Sequence, residues 1–209
     1  MIELICIGTL ITIVIIISDR KKSKKYRKKH KTPKQKGIEG ENVISNIIQY
    51  APMYKKIVRN AYIDMNENKK TEIDIIAIST KGIYVIESKN YEGWILGDEK
   101  SNQWCQNIYN KKSYFYNPIK QNQTHIKSIN KILQLDEKMY ESLIIFNKAE
   151  IKKMFVSSSR TYVMNIQKFR FYMSQQDKLQ DKITKEEVDR IYNILQKYTQ
   201  KNLSKYVEL

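Results

Sequence analysis

The stretch TEIDIIAISTKGIYVIESKN, Thr71 to Asn90, carries two apolar runs joined by one short turn, and it constrains the fold more than any other segment. Ile73–Ser79 and Ile83–Lys89 flank Thr80-Lys81-Gly82, a β-hairpin pattern with glycine at the turn. With Thr80-Lys81 as the turn, Ser79 faces Gly82, Ile78 pairs with Ile83, and Asp74 falls opposite Glu87. Cross-strand partners share a face, with Cβ atoms roughly 5 Å apart, and Lys89 shares that face because side chains alternate along a strand. Two carboxylates and an ammonium then converge among Ile76, Ile78, Ile83 and Val85. A three-residue turn would instead set Asp74 against Ser88 and send Glu87 and Lys89 to the other face.

Burying such charges without partners costs several kcal/mol. Two adjacent acids also repel, which raises one pKa. A bound divalent cation removes both problems, so the hairpin reads as a metal site for phosphoester cleavage. The competing reading is a solvated salt bridge on an exposed strand face, and spacing alone leaves it open.

The 209 residues suffice for one membrane segment and one ordinary domain, and 41% hydrophobic content supports a packed core. Six Gly and three Pro argue against long flexible linkers. The 15 Tyr occur in a chain also rich in Lys, Ile and Asn, so their number is a poor base-stacking signal. Net charge is +16 and unevenly spread, because Arg20–Lys36 holds eleven Lys/Arg and no acid. Such an arm attracts phosphates or anionic lipid head groups. Cys6 and Cys105 are too few and too distant for a disulfide framework or a zinc site. His30 and His125 lack metal-ligand spacing, which argues against histidine-nucleophile chemistry and His-rich metal sites.

Residues 2–18, IELICIGTLITIVIIIS, carry Glu3 as their one charge. As a helix they would span about 25 Å, slightly under a ~30 Å hydrocarbon core. The basic cluster follows the apolar run, which places the C-terminal part on the cytoplasmic side of a cell membrane as a single-pass protein. A cleaved signal peptide would carry its positive charge before the run and a small-residue cleavage site after it. A buried core helix is the other alternative, although Ile11–Ile17 is apolar all round rather than on one side.

Four segments are expected: an anchor over 1–19, a basic juxtamembrane linker over 20–36, the main domain over 37–150, and C-terminal strands and a helix over 151–209 completing it. GIEGENVISNIIQY reads as a helix with Ile44, Ile47 and Ile48 on one stripe, and Glu41 projects from that side. A glutamate there is also an ordinary partner for the helix dipole. Strands are expected at Tyr54–Ile63, Gly93–Gly97, Trp104–Tyr109, Leu143–Phe146, Lys153–Val156 and Arg160–Met164, with turns at Asn66–Lys70 and Lys111-Lys112. Asn117-Pro118 opens a helix with Asn as N-cap and Pro at N1. Its apolar positions include Ile119, Ile126, Ile129 and Leu133, while Gln121 and His125 share a second face, either at the surface or near a cleft. Thr184-Lys185-Glu186-Glu187 is a capping box that starts a last helix. The order fits an α/β fold with a central mixed β-sheet flanked by helices.

Gly37…Gly40-Glu41, Glu72-Ile73-Asp74, Lys81-Gly82-Ile83-Tyr84-Val85-Ile86-Glu87-Ser88-Lys89, Gly93, Trp104 and Asn117-Pro118…Gln121 form an ordered series. Together they resemble the NERD domain (nuclease-related domain) over roughly residues 37–150. Such proteins are grouped with the PD-(D/E)xK nuclease superfamily, whose restriction-endonuclease-like core is a mixed sheet flanked by helices. Some members carry an N-terminal membrane anchor. The residue before Asp74 is Ile rather than the Pro of the superfamily's name, as is usual for NERD sequences.

The resemblance implies catalytic roles for Glu41, Asp74, Glu87, Lys89 and Gln121. It implies Mg²⁺ or Mn²⁺ held by Asp74, Glu87 and the Ser88 carbonyl. The expected partner is nucleic acid, DNA foremost, with the membrane engaged through the N-terminal helix and basic arm. Pairing of two copies is a further expectation, as in many nucleases of the superfamily. The expected activity is metal-dependent nuclease action at the cytoplasmic face; the alternative is a non-catalytic, membrane-anchored nucleic-acid-binding or scaffold module.

Overall fold

The structure, a computed structural model, describes residues 31–66 and 69–199. The apolar run expected as an anchor and most of the basic segment lie outside the described residues. Among the described residues no helix is long and apolar enough to cross a membrane.

The first helix, α1, covers Pro33–Gln49 and so begins ahead of the expected Gly37. Its start is a reciprocal cap: Gln35 N–H donates to Thr32 Oγ1 (3.2 Å) and Thr32 N–H to Gln35 Oε1 (2.9 Å). Pro33 sits at the first helical position, where its missing N–H costs nothing.

Among the described residues nine strands follow in two sheets. They are β1 (Lys55–Asn66), β2 (Lys69–Ser79), β3 (Gly82–Lys89), β4 (Trp94–Asp98), β5 (Gln103–Ile108), β6 (Lys111–Tyr116), β7 (Tyr140–Phe146), β8 (Glu150–Phe155) and β9 (Thr161–Asn165). The central sheet has the order β1-β2-β3-β7-β9. β1, β2 and β3 pair antiparallel in sequence, and β3, β7 and β9 pair parallel. The expected mixed sheet is therefore present. A second, four-stranded sheet of order β6-β5-β4-β8 was not anticipated; it places β7 and β8, which the sequence reading put on either side of one polar turn, in different sheets.

The β2–β3 hairpin takes the two-residue turn. Ser79 pairs with Gly82, Ile78 with Ile83, and the ladder continues to Ile75 and Ile86. Gly82 has φ +131°, and a Cβ there would lie 2.9 Å from the Met139 carbonyl oxygen, so a side chain is excluded twice over. The turn is also buried. Lys182 N–H and Ile183 N–H donate to Thr80 O (2.7 and 3.2 Å), and Lys81 Nζ meets Leu179 O and, at 2.8 Å, Asp181.

Between β5 and β6 the turn is Tyr109-Asn110, with φ of 46° and 65°, rather than Lys111-Lys112. Two consecutive positive φ values match the twist of a tight hairpin, and asparagine tolerates that region well. Three further α-helices are present among the described residues: α2 (Pro118–Leu133), α3 (Ile166–Ser174) and α4 (Lys185–Leu195). The sequence reading missed α3. Its cap is Asn165, whose Oδ1 accepts from Lys168 N–H (3.0 Å).

One face of the central sheet presents Val58, Ile63, Ile76, Ile78, Ile83 and Val85 to α2 and α4. The other presents Ile75, Ala77, Tyr84, Ile86, Leu143 and Ile145 to α1 and α3. A third cluster, including Ile95, Trp104, Ile119, Ile144 and Phe146, lies beneath the second sheet. At about 25 cal/mol per Å² of apolar surface, these clusters are the main favourable term of folding. They hold β2, β3 and α2 rigidly against one another.

Candidate active site

The site lies where the β2–β3 ladder ends. Pairing stops at Ile75 and Ile86, so Asp74 and Glu87 do not continue the ladder as cross-strand partners. Instead Ser88 N–H donates to Asp74 Oδ2 (2.8 Å), and the Asp74 carboxylate fills the fork between the strands. Both β1 and β2 change their facing nearby. Ile73 and Ile76 join one core cluster, as do Val58 and Ala61, although strict alternation would separate the members of each pair. Asn60, between them on β1, has φ +50°.

Glu87 and Lys89 project on the α2 side. Lys89 Nζ lies 2.6 Å from Glu87 Oε1, and both side chains are largely withdrawn from solvent. α2 meets them with polar residues. His125 Nε2 is 3.1 Å from Glu87 Oε2, and Lys89 Nζ donates to Gln121 Oε1 (3.2 Å). Because a carboxylate only accepts, Nε2 carries the proton of that bond, and Nδ1 is free to accept from the Thr71 hydroxyl at 2.9 Å. Asn122 docks the helix: its Nδ2 donates to Val85 O (2.8 Å) and Ser142 Oγ (2.9 Å).

The start of α2 is fixed by Asn117. Its Oδ1 accepts from Ile119 N–H (2.9 Å), and its Nδ2 reaches the carbonyls of Asp98, Glu99 and Ser101 at 3.2, 2.9 and 2.7 Å. The Asn-Pro pair thus caps α2 and ties it to the β4–β5 turn, which sets how far Gln121 and His125 reach.

Glu41 enters from α1. Arg59 Nη2 lies 3.3 Å from Glu41 Oε2, and Asn60 Nδ2 lies 3.5 Å from the same oxygen. Gly40 lets α1 approach this closely. A Cβ there would stand 2.3 Å from Asn147 Nδ2, which donates to Ser88 Oγ (3.1 Å).

The electrostatics differ between the two central acids. Burial, then the neighbouring Glu87 charge, pushes Asp74 up to about 8, with a smaller push from Glu41; the Ser88 N–H and Lys89 act against this. Glu87 goes the other way. Burial pulls its pKa up, but His125 and Lys89 together hold it below the ordinary carboxylate range. Asp74 therefore requires either a proton or a nearby cation at neutral pH. An all-oxygen donor set of two carboxylates suits a hard divalent ion. Among the described residues, however, no three His, Cys, Asp or Glu side chains stand close enough to form a ready-made cation cluster.

The structure thus links Glu87 and Gln121 through Lys89, which touches both, with Asp74 joined to them through the Ser88 backbone and Glu41 near enough for its charge to act on Asp74. Thr71, Arg59, Asn60 and Asn147 also line the site, though no sequence motif marks them, and His125, expected either at the surface or near a cleft, lies inside it. The i, i+4 spacing of Gln121 and His125 was the available signal for His125.

The mixed sheet carries Asp74 on β2 and Glu87-Ser88-Lys89 on β3 beneath the polar face of α2. Residues 36–147 match the family of the nuclease-related domain (NERD), and the chain belongs to that family. An uncharacterized protein of Bacillus anthracis is 32% identical over 212 residues, covering 98% of this chain and 94% of its own length. No solved structure matches.

Proposed function

We propose that this protein is a metal-dependent nuclease that hydrolyses nucleic acid phosphodiester bonds, DNA foremost, at the cytoplasmic face of a membrane. The observation that carries the reading is the chain of contacts from Glu87 through Lys89 to Gln121 beside a buried Asp74, whose carboxyl burial and the Glu87 charge push up further than the Ser88 N–H and Lys89 pull it down. Asp74 and Glu87 would hold Mg²⁺ or Mn²⁺, with the Ser88 carbonyl as a further ligand. When bound, the ion supplies Lewis acidity and a more acidic water.

The chain's own residues account for the rest. Lys89, steadied by Gln121, orients the attacking water and stabilises negative charge gathering on the phosphate. His125 fixes the rotamer of Glu87 through its second oxygen. Glu41, held by Arg59 and Asn60, orders water on the α1 side. Two sequence features support the membrane tether: the apolar run at 1–19 and the eleven basic residues of Arg20–Lys36. Pairing of two copies would let both strands be cut.

One observation favours a non-catalytic binding or scaffold module. Both oxygens of Glu87 are already taken, one by Lys89 and one by His125, and no ready-made cation cluster exists among the described residues. Cleavage assays separate the two readings. Plasmid DNA, linear DNA and RNA are incubated with the purified chain and Mg²⁺ or Mn²⁺. Cleavage by wild type and its loss in both Asp74→Ala and Lys89→Ala supports the nuclease. Salt-sensitive binding without cleavage, unchanged in Asp74→Ala, supports the scaffold.

A further inference from the structure

The outer face of the second sheet is aromatic and basic. Trp104 and Phe115 point inward to the buried cluster, so their neighbours along β5 and β6 point out. The pairing then sets two lateral rows on the outer face. One runs Tyr114, Cys105, Leu96, Lys153; the other runs Lys112, Asn107, Trp94, Glu150. A register shift between Ile95 and Leu96 lets Ile151 and Met154 both face the core, which leaves Lys152 and Lys153 together outside.

Large rings on this face are open to solvent. Trp94 is 47% exposed, Tyr114 65%, Tyr116 56% and Phe155 66%. Burying such rings would be favourable, and their retention at a surface calls for an occupant. Lys152 Nζ lies 5.1 Å from the Trp94 ring centre, and a cavity of about 330 Å³ opens beside Trp94 between Gly93, Ile108 and Tyr109. Flat rings spaced across a sheet and interleaved with lysines match the needs of one ligand: stacked bases joined by phosphates. Lys152 is also ion-paired with Glu150 at 2.7 Å, and a purely apolar protein partner would not call for Lys112 and Lys153 among the rings.

We infer that this face is a stacking platform for single-stranded nucleic acid, with Trp94 and Tyr114 as its principal stacking residues. The chain passes from Lys89 to Trp94 in five residues, so their Cα atoms are at most about 18 Å apart. That is roughly five stacked nucleotides at 3.4 Å each. The platform would thus hold the strand flanking the bond to be cut. As a choice of substrate class for the hydrolytic site this rests on the nuclease reading, whereas binding to the platform does not.

The test uses the full chain in detergent micelles, with EDTA present to separate binding from cleavage. The probe is a fluorescein-labelled 15-nucleotide oligothymidylate, with a duplex of equal length for comparison. Trp94→Ala and Tyr114→Ala should each weaken single-strand binding about five-fold or more, since a lost stack removes about 1–3 kcal/mol. Duplex binding, which the basic arm also serves, should change less than two-fold. Trp94→Phe should retain most of the affinity yet lose the quenching of tryptophan emission that oligothymidylate causes in wild type. Circular dichroism melts confirm that each variant folds.

Wild-type affinity in both alanine variants, or no quenching in wild type, would overturn the platform. So would a response of Trp94 emission to phosphatidylserine vesicles but not to oligothymidylate. Mg²⁺-dependent cleavage that survives in the alanine variants would overturn the platform while leaving the nuclease standing. Aromatic-dependent binding by a chain that never cleaves would do the reverse.

Discussion

Glu87 and His125 meet across the interface between β3 and α2, with Glu87 Oε2 and His125 Nε2 3.1 Å apart and both side chains nearly sealed from solvent. The other Glu87 oxygen faces Lys89. Each oxygen of the carboxylate thus has its own partner, one from the helix and one from the strand.

Removing His125 should leave half of a buried carboxylate unsatisfied. His125→Ala is expected to lower stability by about 2–4 kcal/mol, read from urea unfolding midpoints. His125→Gln, which keeps an N–H donor, should recover a substantial part. Equal stability of wild type and His125→Ala would mean that the histidine contributes nothing to holding Glu87.

Asp74 gives the metal-free protein an unusual pH dependence. Its folded carboxyl keeps a proton up to about pH 8, whereas the unfolded chain releases it near 3.8. Between those values the folded state binds more protons, so stability falls as pH rises. Glu87 acts oppositely: its depressed folded pKa adds stability above the ordinary carboxylate range, lost as pH drops through the folded value. Asp74→Asn keeps an acceptor for Ser88 N–H without the charge. In EDTA at pH 8 it should be more stable than wild type by about 1–3 kcal/mol, with little difference at pH 4. Mg²⁺ should raise the wild-type melting temperature at pH 8 and leave Asp74→Asn unchanged.

Gln121 touches Lys89 and neither central acid in the described contacts. Gln121→Ala should reduce the cleavage rate about ten-fold or more by loosening Lys89, while the Mg²⁺ concentration for half-maximal activity stays within two-fold. Gln121→Glu should restore the lysine contact and part of the rate. A large shift in metal requirement would place Gln121 in the ion's surroundings instead.

Asn117→Ala removes one helix cap and three contacts to the β4–β5 turn. The expected loss is about 2–4 kcal/mol. Trp104, whose Nε1 donates to Asp98 O (3.0 Å) in the same turn, should report the loosening as a red shift of its emission. An unaltered Trp104 environment would show that the turn holds itself.

The hairpin was legible because three local signals agreed: alternating apolar residues, a glycine where φ is positive, and a short polar turn. What the pattern could not show was where pairing ends. Asp74 was expected across from Glu87, but the strands part at Ile75 and Ile86, and only packing reveals that the freed Ser88 N–H turns to Asp74. α3 escaped notice because only Phe169 and Met173 of its nine residues are buried, too few for a visible stripe. The second sheet was missed because short strands such as Trp94–Asp98 carry no marker of which neighbour they join. His125 stood in plain view as a spacing partner of Gln121, but its role depends on Glu87, 38 positions away in the chain.

The enclosed bend at Thr80-Lys81 has a consequence for how this gene can drift. Surface loops ordinarily tolerate gained or lost residues, but here a single added residue would turn Glu87 and Lys89 toward α1 and away from Gln121. The Leu179–Ile183 segment clasps the bend and leaves no slack for such a change. Relatives that keep the chemistry should therefore vary in letter but not in length at this corner, however freely the β5–β6 tip expands or shrinks.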